Sequence, residues 1–407
     1  MLKKLLCSAS CLLLGLTALS AQEDLAGKIA LLQSRGAAWL LSRQDDNGAW
    51  LSQSGQPALT ALVCLGIYDS PEFAGPEVKA KMNRALDYII TQAKSDGGIY
   101  GTGGRRGGPG GQRGGPGSQR GGPGGRPAGS AAAGPSQPSP GSYSVYNTAI
   151  CLLALAKYNR PQDLEISRKA RAYLLDSQSR AGASGGIGYG RSQRADLSNT
   201  AWSLEALKAT DHLDREPFSS DPQQARQAEL AWDKALQFIS MCQNLSATNQ
   251  SAWVKSAPEE DRGGFIYCPE DAQKAEAGSP PLRSYGSMTY AGIKSMIYAE
   301  VAKDDVRMQS AFEWVKKYYT LEENPGTGAS GYYYYLHTFG KTLTLFQAQT
   351  ITDRQGREHD WRRELVDKLA ATQKPDGSWY NDQSGRWMEN IPELSTAYCL
   401  MTLGTVK

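Results

Sequence analysis

The chain has 407 residues, of which 40% are hydrophobic and 21% are charged, with a formal net charge of +3. It is too polar for a protein with many membrane spans, it can bury a large core, and its seven cysteines are too few for a disulfide scaffold. The positive charge is concentrated, because two lysines lie within residues 1–21 and five arginines, with no acid, lie within residues 101–141. The remainder is mildly acidic, which argues against a folded nucleic-acid-binding domain.

The first residues predict a secretory signal peptide at 1–21. Lys3 and Lys4 form a short basic start, the apolar stretch 5–19 follows, and the small residues before Gln22 suit a cleavage site. A single membrane anchor is the alternative, but the apolar run is short for a membrane span and leads directly into polar residues. We therefore expect a mature protein that begins near Gln22 and is secreted or periplasmic.

Five cysteines remain after this cleavage. Three of them lie in apolar helical runs, where a free cysteine is usually a small core residue. Only Cys242 and Cys268, near loops of one segment, could form a disulfide, and the sequence leaves that pairing open.

One pattern recurs six times along the rest of the chain. A basic and a small residue precede an aromatic and an aliphatic residue, then a glutamine, and then a glycine turn that carries an aromatic. The first copy reads Arg35-Gly36-x-x-Trp39-Leu40-x-x-x-Gln44-x-x-x-Gly48-x-Trp50, and later copies are degenerate in places. The later glycine turns lie at 97–100, 185–189, 263–265, 331–332 and 376–379, and a second helical run follows every turn.

The two helical runs of each copy differ in kind. In 76–92 the apolar residues fall on one stripe at spacings of three and four, which predicts a half-exposed helix. The second runs, such as 58–67 and 149–156, are apolar on every side and are therefore expected to be buried on every side. Six such hairpins predict an all-α fold, a closed (α/α)6 barrel or α/α toroid, with residues 22–407 as one domain. An open solenoid is the alternative, but the apolar last copy does not look like a polar capping repeat.

A low-complexity segment at 101–141 interrupts the second hairpin. It contains near-repeats of Arg-Gly-Gly-Pro-Gly-x-Gln and cannot bury enough apolar surface to offset its ordering entropy, so we expect it to be disordered. Its arginines are compatible with contact to an anionic polymer, although it lacks the aromatic residues common in RNA-binding segments of this type. An expanded repeat tolerated in a surface loop is the simpler interpretation.

The first copy of the pattern resembles the QW motif of squalene/hopene cyclases. The mature chain outside 101–141 is similar to the prenyltransferase and squalene-cyclase class of α/α toroids. This resemblance implies a central cavity at the N-terminal ends of the inner helices. The residues that we expect to line it or bind a ligand there are Tyr146, Asn199, Trp202, Tyr285, Tyr290, Tyr333, Lys341, Glu393 and Tyr398.

The resemblance does not extend to the catalytic motifs. The cyclases protonate an alkene with an Asp-x-Asp-Asp-Thr-Ala stretch, and the matching stretch 196–201 has Ser198 and Asn199 at the central acidic positions. Asp196 could be displaced into the acid role, but a helix N-cap is its alternative function. Of the zinc ligands of protein prenyltransferases only a histidine, His337, has a counterpart. We therefore expect no metal and no cofactor, and the sequence leaves open whether the protein is an enzyme.

A second kind of chemistry involves the run of four tyrosines before His337. His337, Tyr335 and Lys341 could act together as a proton-transfer set, which would suit β-elimination of an acidic polysaccharide. The alternative is a hydrogen-bonded histidine at the rim of the cavity. The other two histidines, His212 and His359, lie in polar stretches where we expect them to be solvated.

Three functional hypotheses follow. The first is a secreted toroid that binds an apolar or isoprenoid-like ligand in its central cavity. The second is a polysaccharide-active enzyme of the lyase type, and the third is a non-catalytic interaction scaffold. Neither a folded nucleic-acid site nor a transmembrane helix after signal cleavage is expected.

Overall fold

The computed structural model describes residues 24–101, 143–180, 185–218, 221–273 and 283–407. The predicted signal peptide, and the predicted disordered segment apart from Gly101, lie outside the described residues. The regular secondary structure of the described part is almost entirely helical. Its helices are α1 (24–41), α2 (Pro57–Tyr68), α3 (Pro76–Thr91), α4 (Ser144–Tyr158), α5 (Leu164–Arg180), α6 (Leu197–Ala209), α7 (Pro222–Cys242), α8 (Ala252–Ser256), α9 (Pro269–Gln273), α10 (Gly286–Tyr298), α11 (Val306–Lys317), α12 (Tyr332–Phe346), α13 (Trp361–Thr372) and α14 (Pro392–Thr405).

Six of these helices form a closed inner ring. In order around the ring they are α2, α4, α6, α10, α12 and α14, each packs against the next, and α14 packs against α2. Helices α1, α3, α5, α7, α11 and α13 precede them in the six hairpins, and those for which contacts are resolved pack on the outside of the ring. The expected all-α toroid of six hairpins is confirmed.

Burial explains the division into two rings. Every residue of α2 from Pro57 to Ile67 is buried, whereas α3 buries only the stripe of Met82, Ala85, Leu86 and Ile89. Removing an aliphatic side chain from water contributes about 1.5–3 kcal/mol, so the apolar inner helices are stable only when covered on all sides. The outer helices provide that cover with one face and leave the other face to solvent.

Glutamine side chains connect neighbouring hairpins in a recurring way. The Gln44 amide donates to the carbonyl of Gly48 in its own turn, at 2.8 Å, and to the carbonyl of Lys81 in the next outer helix, at 2.9 Å. Gln178 and Gln243 make the equivalent pairs of bonds. Gln373 donates to Leu32 of α1 at 3.1 Å and to Gly377 at 3.0 Å, so the last hairpin is bonded to the first.

A glycine is required at the turn that closes the ring. Gly377 has a φ of +96° and lies against α1, where a Cβ would be 2.6 Å from the carbonyl oxygen of Arg35. Both the left-handed backbone and the close approach exclude other residues.

His359 is not solvated as expected. It lies in β2 (Glu358–His359), which pairs antiparallel with β1 (Ile351–Thr352). Its Nε2 is 3.0 Å from Asp353 and its Nδ1 is 2.9 Å from Glu364, and these two carboxylates raise its pKa against the opposing effect of burial. The sequence pattern missed this pairing because Glu364 belongs to the following helix. His212 is exposed, as expected.

Candidate functional site

An aromatic cavity of about 190 Å³ lies at the N-terminal ends of the inner helices. Each of the six inner helices contributes residues of its N-terminal part or the residue directly before it, and for α2 the contribution is the preceding residue, Gln56. Seven tyrosines and two tryptophans are among the lining residues. The lining consists of Gln56, Tyr143, Tyr146, Tyr189, Ser198, Trp202, Tyr267, Tyr285, Ser287, Met288, Tyr334, Trp387, Met388, Glu389, Leu394 and Tyr398.

Three tyrosines of this cavity are neutral hydrogen-bonding groups because they are buried. Burial raises the pKa of Tyr146, Tyr334 and Tyr398 above the ordinary value. The hydroxyl of Tyr334 lies 3.1 Å from the hydroxyl of Ser198 across the cavity wall. The lining therefore presents ring faces with a few fixed hydroxyls, a surface that suits an apolar body carrying a small number of polar groups.

The segment 387–389 forms part of the cavity lining. Trp387 and Met388 have left-handed backbones, with φ of 56° and 63°, and the two residues are 40% and 39% exposed. The ring of Trp387 packs on Gly331, where an added Cβ would be 2.7 Å away. Two consecutive non-glycine residues with positive φ are costly and must be held by their surroundings.

Glu389 is the residue that fixes this segment to the ring. One of its carboxylate oxygens accepts the backbone N–H of Tyr334 at 2.8 Å, and the other accepts the side-chain amide of Asn381 at 3.0 Å. Burial raises the pKa of Glu389, while these hydrogen bonds oppose the increase. The carboxyl group lies near the N-terminus of α12, where the helix dipole favours a negative charge.

Asp196 lies behind the lining and caps α6. Its carboxylate accepts the backbone N–H of Asn199 at 2.8 Å and the side-chain amide of Asn199 at 2.8 Å. Burial raises its pKa to about 6, despite these hydrogen bonds. A raised pKa makes this carboxyl a weaker acid, whereas protonation of an alkene requires a strengthened one. In this structure Asp196 is a helix cap, and the hydroxyl of Ser198 faces the cavity in its place.

His337 lies in the middle of the ring, between the rings of Trp202 and Tyr398. The three rings are nearly parallel, with centroids 5.7 Å and 5.8 Å apart. Neither nitrogen of His337 has a hydrogen-bond partner among the described residues. Burial and then the charge of Lys294 lower its pKa to about 3, so the imidazole is neutral at physiological pH. The proton-transfer set of His337 with Tyr335 and Lys341 is therefore not assembled here.

The structure distributes the other predicted residues over several places. Tyr146, Trp202, Tyr285 and Tyr398 line the aromatic cavity, and Asn199 lies behind it with Asp196. Four consecutive tyrosines point to all sides of α12, since one residue covers about 100° of a helix. Only Tyr334 of the four lines the cavity. The remaining residues are outside this lining: Tyr290, Tyr333 and Tyr335 in the core, Glu393 in the first turn of α14, and Lys341 and His337 on a second cavity at the other end of the ring.

Tyr335 and Tyr290 stabilise the ring between α10 and α12. Their ring centroids are 5.8 Å apart, and both pack on Phe339. The hydroxyl of Tyr335 donates to the carbonyl of Thr320 at 2.6 Å. An inner helix is buried on all sides, but only one narrow face of it reaches the cavity. Tyr290 and Tyr335 lie on other buried faces and therefore pack between helices.

Within the described ranges no group of three or more His, Cys, Asp or Glu side chains could hold a metal ion. Cys242 and Cys268, together with the other three described cysteines, are free thiols and are buried. No helix in the described part of the chain is both long and apolar enough to cross a membrane.

Three solved structures of the type II terpene cyclase MstE from Scytonema are similar to this chain. An arginine-to-alanine variant in complex with geranylgeranyl dihydroxybenzoate, its substrate, is 12% identical with a TM-score of 0.52, covering 94% of this chain and 99% of that chain. An aspartate-to-alanine variant with merosterolic acid A, its product, is 12% identical with a TM-score of 0.53, covering 94% and 98%. The apo enzyme is 13% identical with a TM-score of 0.52, covering 93% and 98%.

No family model and no curated protein matches the sequence. At this identity the structural likeness establishes the fold alone. The chain has the terpenoid-cyclase-like toroid fold that its repeat pattern indicated.

Proposed function

We propose that this protein is exported and binds a small apolar or isoprenoid-like ligand in the aromatic cavity, without cyclising a polyene. The observation that carries the proposal is the lining itself, where seven tyrosines and two tryptophans surround a space at the N-terminal ends of the inner helices. The structurally similar MstE complexes hold a geranylgeranyl-bearing substrate and a terpenoid product. An isoprenoid is therefore the first ligand class to test.

The size of the cavity restricts the ligand. At about 190 Å³ it is smaller than the roughly 300–1,000 Å³ of typical drug-sized sites. It would accommodate a short isoprenoid, or one end of a longer chain whose remainder passes Trp387 and Met388, which line the cavity and are partly exposed to solvent.

Two observations count against chemistry at this site. Asp196 is a buried helix cap whose pKa of about 6 makes it too weak an acid for alkene protonation. His337 has no hydroxyl partner and does not line the aromatic cavity, so the His/Tyr set of a lyase lacks its geometry. Binding requires neither group.

The binding prediction can be tested on the full mature chain with geraniol and farnesol in one panel and acidic oligosaccharides in the other. A ligand that binds only the folded state raises the melting temperature. At a ligand concentration one hundred times its dissociation constant, it adds about 2.7 kcal/mol to the free energy of unfolding. Ser198→Phe places a ring inside the cavity and should abolish the shift. Ser246→Phe, at an exposed position, is the matched control and should retain it.

A shift with the isoprenoid alcohols that disappears only in the Ser198 variant supports the proposal. A shift of equal size in both variants places the ligand elsewhere and refutes it. A shift with the oligosaccharides alone would favour the polysaccharide-active hypothesis.

Export is a separate prediction and rests on residues 1–21. We expect the protein, expressed from its full gene in a secretion-competent bacterial host, to be recovered outside the cytoplasm with an N-terminus near Gln22. N-terminal sequencing of the recovered protein gives the answer. An intact Met1 on a cytoplasmic product would contradict it.

A further inference from the structure

A second cavity, of about 300 Å³, lies at the opposite end of the ring, where the inner helices end. Its wall is partly apolar, with Leu65, Leu153 and Met401. The stacked rings of Trp202, His337 and Tyr398 lie between the two cavities, since Trp202 and Tyr398 line the first and His337 lines the second. The function proposed above does not use this second space.

One carboxylate here is shared by two ammonium groups. Glu205 lies 2.5 Å from the Nζ of Lys294 and 3.3 Å from the Nζ of Lys341. Glu205 and Lys294 are almost completely buried, and Lys341 is partly exposed to the cavity. The group of three therefore carries one positive charge that no carboxylate within it matches.

The other two lysines that line this cavity add no unpaired positive charge, because each is paired with a carboxylate. Lys157 and Lys208 lie in the last turns of α4 and α6, where they offset the partial negative charge of the helix carbonyls. Lys157 pairs with Asp69 at 3.2 Å and Lys208 pairs with Glu300 at 2.8 Å. Lys294 and Lys341 are further from the C-terminal ends of their helices, so the helix carbonyls do not offset their charges. The surplus positive charge therefore lies on this pair of lysines beside Glu205.

His337 adds an unused hydrogen-bonding group to the same cavity. It is 1% exposed, lines the cavity, and has no partner for either ring nitrogen among the described residues. Lys341 follows it by four residues on α12, so the two side chains project from the same face of the helix. A neutral imidazole has one N–H to donate, and an anion close to Lys341 can accept it.

We propose that this second cavity binds a small organic anion, with its carboxylate between the Lys341 ammonium and a His337 N–H and its apolar part against Leu65, Leu153 and Met401. The carboxylate would match the surplus ammonium and satisfy a buried donor. The apolar wall disfavours fully polar anions, because they have no hydrocarbon group to pack against it.

Isothermal titration of the full mature chain with octanoate, octanol and inorganic phosphate tests this inference. We expect saturable binding of octanoate, and binding of octanol weaker by about tenfold or more, because a hydrogen bond to a charged group is lost. Lys341→Met keeps the aliphatic stem but removes the charge, and should weaken octanoate by a similar factor. His337→Phe keeps the ring between Trp202 and Tyr398 and should weaken octanoate several-fold.

Two control variants separate this site from others. Lys316→Met removes an exposed lysine that pairs with Glu313 on an outer helix, and should leave octanoate binding unchanged. Ser198→Phe fills the aromatic cavity and should also leave it unchanged, so failure of the first proposal does not carry over to this one. In the Ser198→Phe background, where the aromatic cavity is filled, equal binding of octanol and octanoate, octanoate binding indifferent to Lys341→Met, or saturable binding of phosphate alone would each overturn the inference.

Discussion

Replacing Arg171 by methionine should lower the free energy of unfolding by about 3–5 kcal/mol, the cost of breaking a buried ion pair from one side. The guanidinium of Arg171, on the outer helix α5, is bonded to both oxygens of Asp214, at 2.9 Å each from Nε. It also donates to the carbonyl of Leu207, at 2.5 Å, and to the hydroxyl of Thr210, at 3.0 Å. Its loss would leave the Asp214 carboxylate and the end of α6 without these partners.

The measurement is urea-induced unfolding of the wild type and the variant at neutral pH. Arg180→Met is the matched control, because Arg180 lies on the same helix and pairs with Asp176 at the surface, at 2.8 Å, with 55% of its side chain exposed. An exposed pair of this kind contributes about 0–1 kcal/mol. The double variant Arg171→Met/Asp214→Leu should recover part of the loss, because it leaves no buried charge unpaired. Equal effects of Arg171→Met and Arg180→Met would contradict the buried-pair interpretation.

The fold could be predicted from the sequence because each level of the pattern agrees with the next. The runs 58–67 and 149–156 have no polar face, so they must be surrounded, and a closed ring of paired helices surrounds all six inner helices at once. The glycine turns between the helices have a physical cause visible in the structure. Gly377 approaches the backbone of α1 too closely for any side chain.

The candidate site could be predicted only in part. The repeat pattern predicts where each inner helix begins. From those positions Tyr146, Trp202 and Tyr398 are expected at the cavity, and all three line it in the structure. The run of four tyrosines was ambiguous, because helical periodicity directs only one of them inward and the rotation of α12 depends on packing that no local pattern encodes. Trp387 and Glu389 had no signal at all, since they lie in a loop with left-handed backbone whose position depends on the N-terminus of α12.

His337 illustrates the same limit for chemistry. The sequence placed it near a lysine and several tyrosines, a grouping that suggests proton transfer. In the structure its ring lies flat between Trp202 and Tyr398, and burial beside Lys294 lowers its pKa. Ring orientation and burial decide what a histidine can do, and neither can be derived from its neighbours along the chain.

Asp196→Asn should remove a loss of unfolding free energy that the wild type undergoes as the pH rises. Most carboxyl groups have the opposite effect, because their pKa values are lowered in the folded state. The folded-state pKa of Asp196 is about 6, above the ordinary value of 3.8, because burial disfavours the ionised form. The wild type therefore gains stability from this group below the unfolded-state pKa and loses it as the pH rises through about 6. Relative to the asparagine variant, the wild type should lose about 2–3 kcal/mol of unfolding free energy between pH 4 and pH 8.

The substitution should be tolerated structurally. The asparagine oxygen can still accept the backbone N–H of Asn199. Its amide replaces the carboxylate oxygen that accepts from the Asn199 side-chain nitrogen, so the Asn199 amide must turn over and present its oxygen, which has no partner in the described structure of the wild type, as the acceptor. Urea unfolding of both proteins at pH 4, 6 and 8 gives the difference directly.

Asp305→Asn is the matched control, because Asp305 caps α11 and its pKa is lowered by its hydrogen bonds to Arg307. Its contribution is present above the ordinary pKa of 3.8 and is lost only as the pH falls below that value, so between pH 4 and pH 8 the difference for Asp305→Asn should stay nearly constant while the difference for Asp196→Asn changes. If the difference in unfolding free energy between the wild type and Asp196→Asn did not change between pH 4 and pH 8, Asp196 would be as acidic as a solvated carboxyl and the prediction would be wrong. The expected slope would instead show a carboxylic acid held weak by its surroundings, which is the opposite of what protonation of an alkene requires.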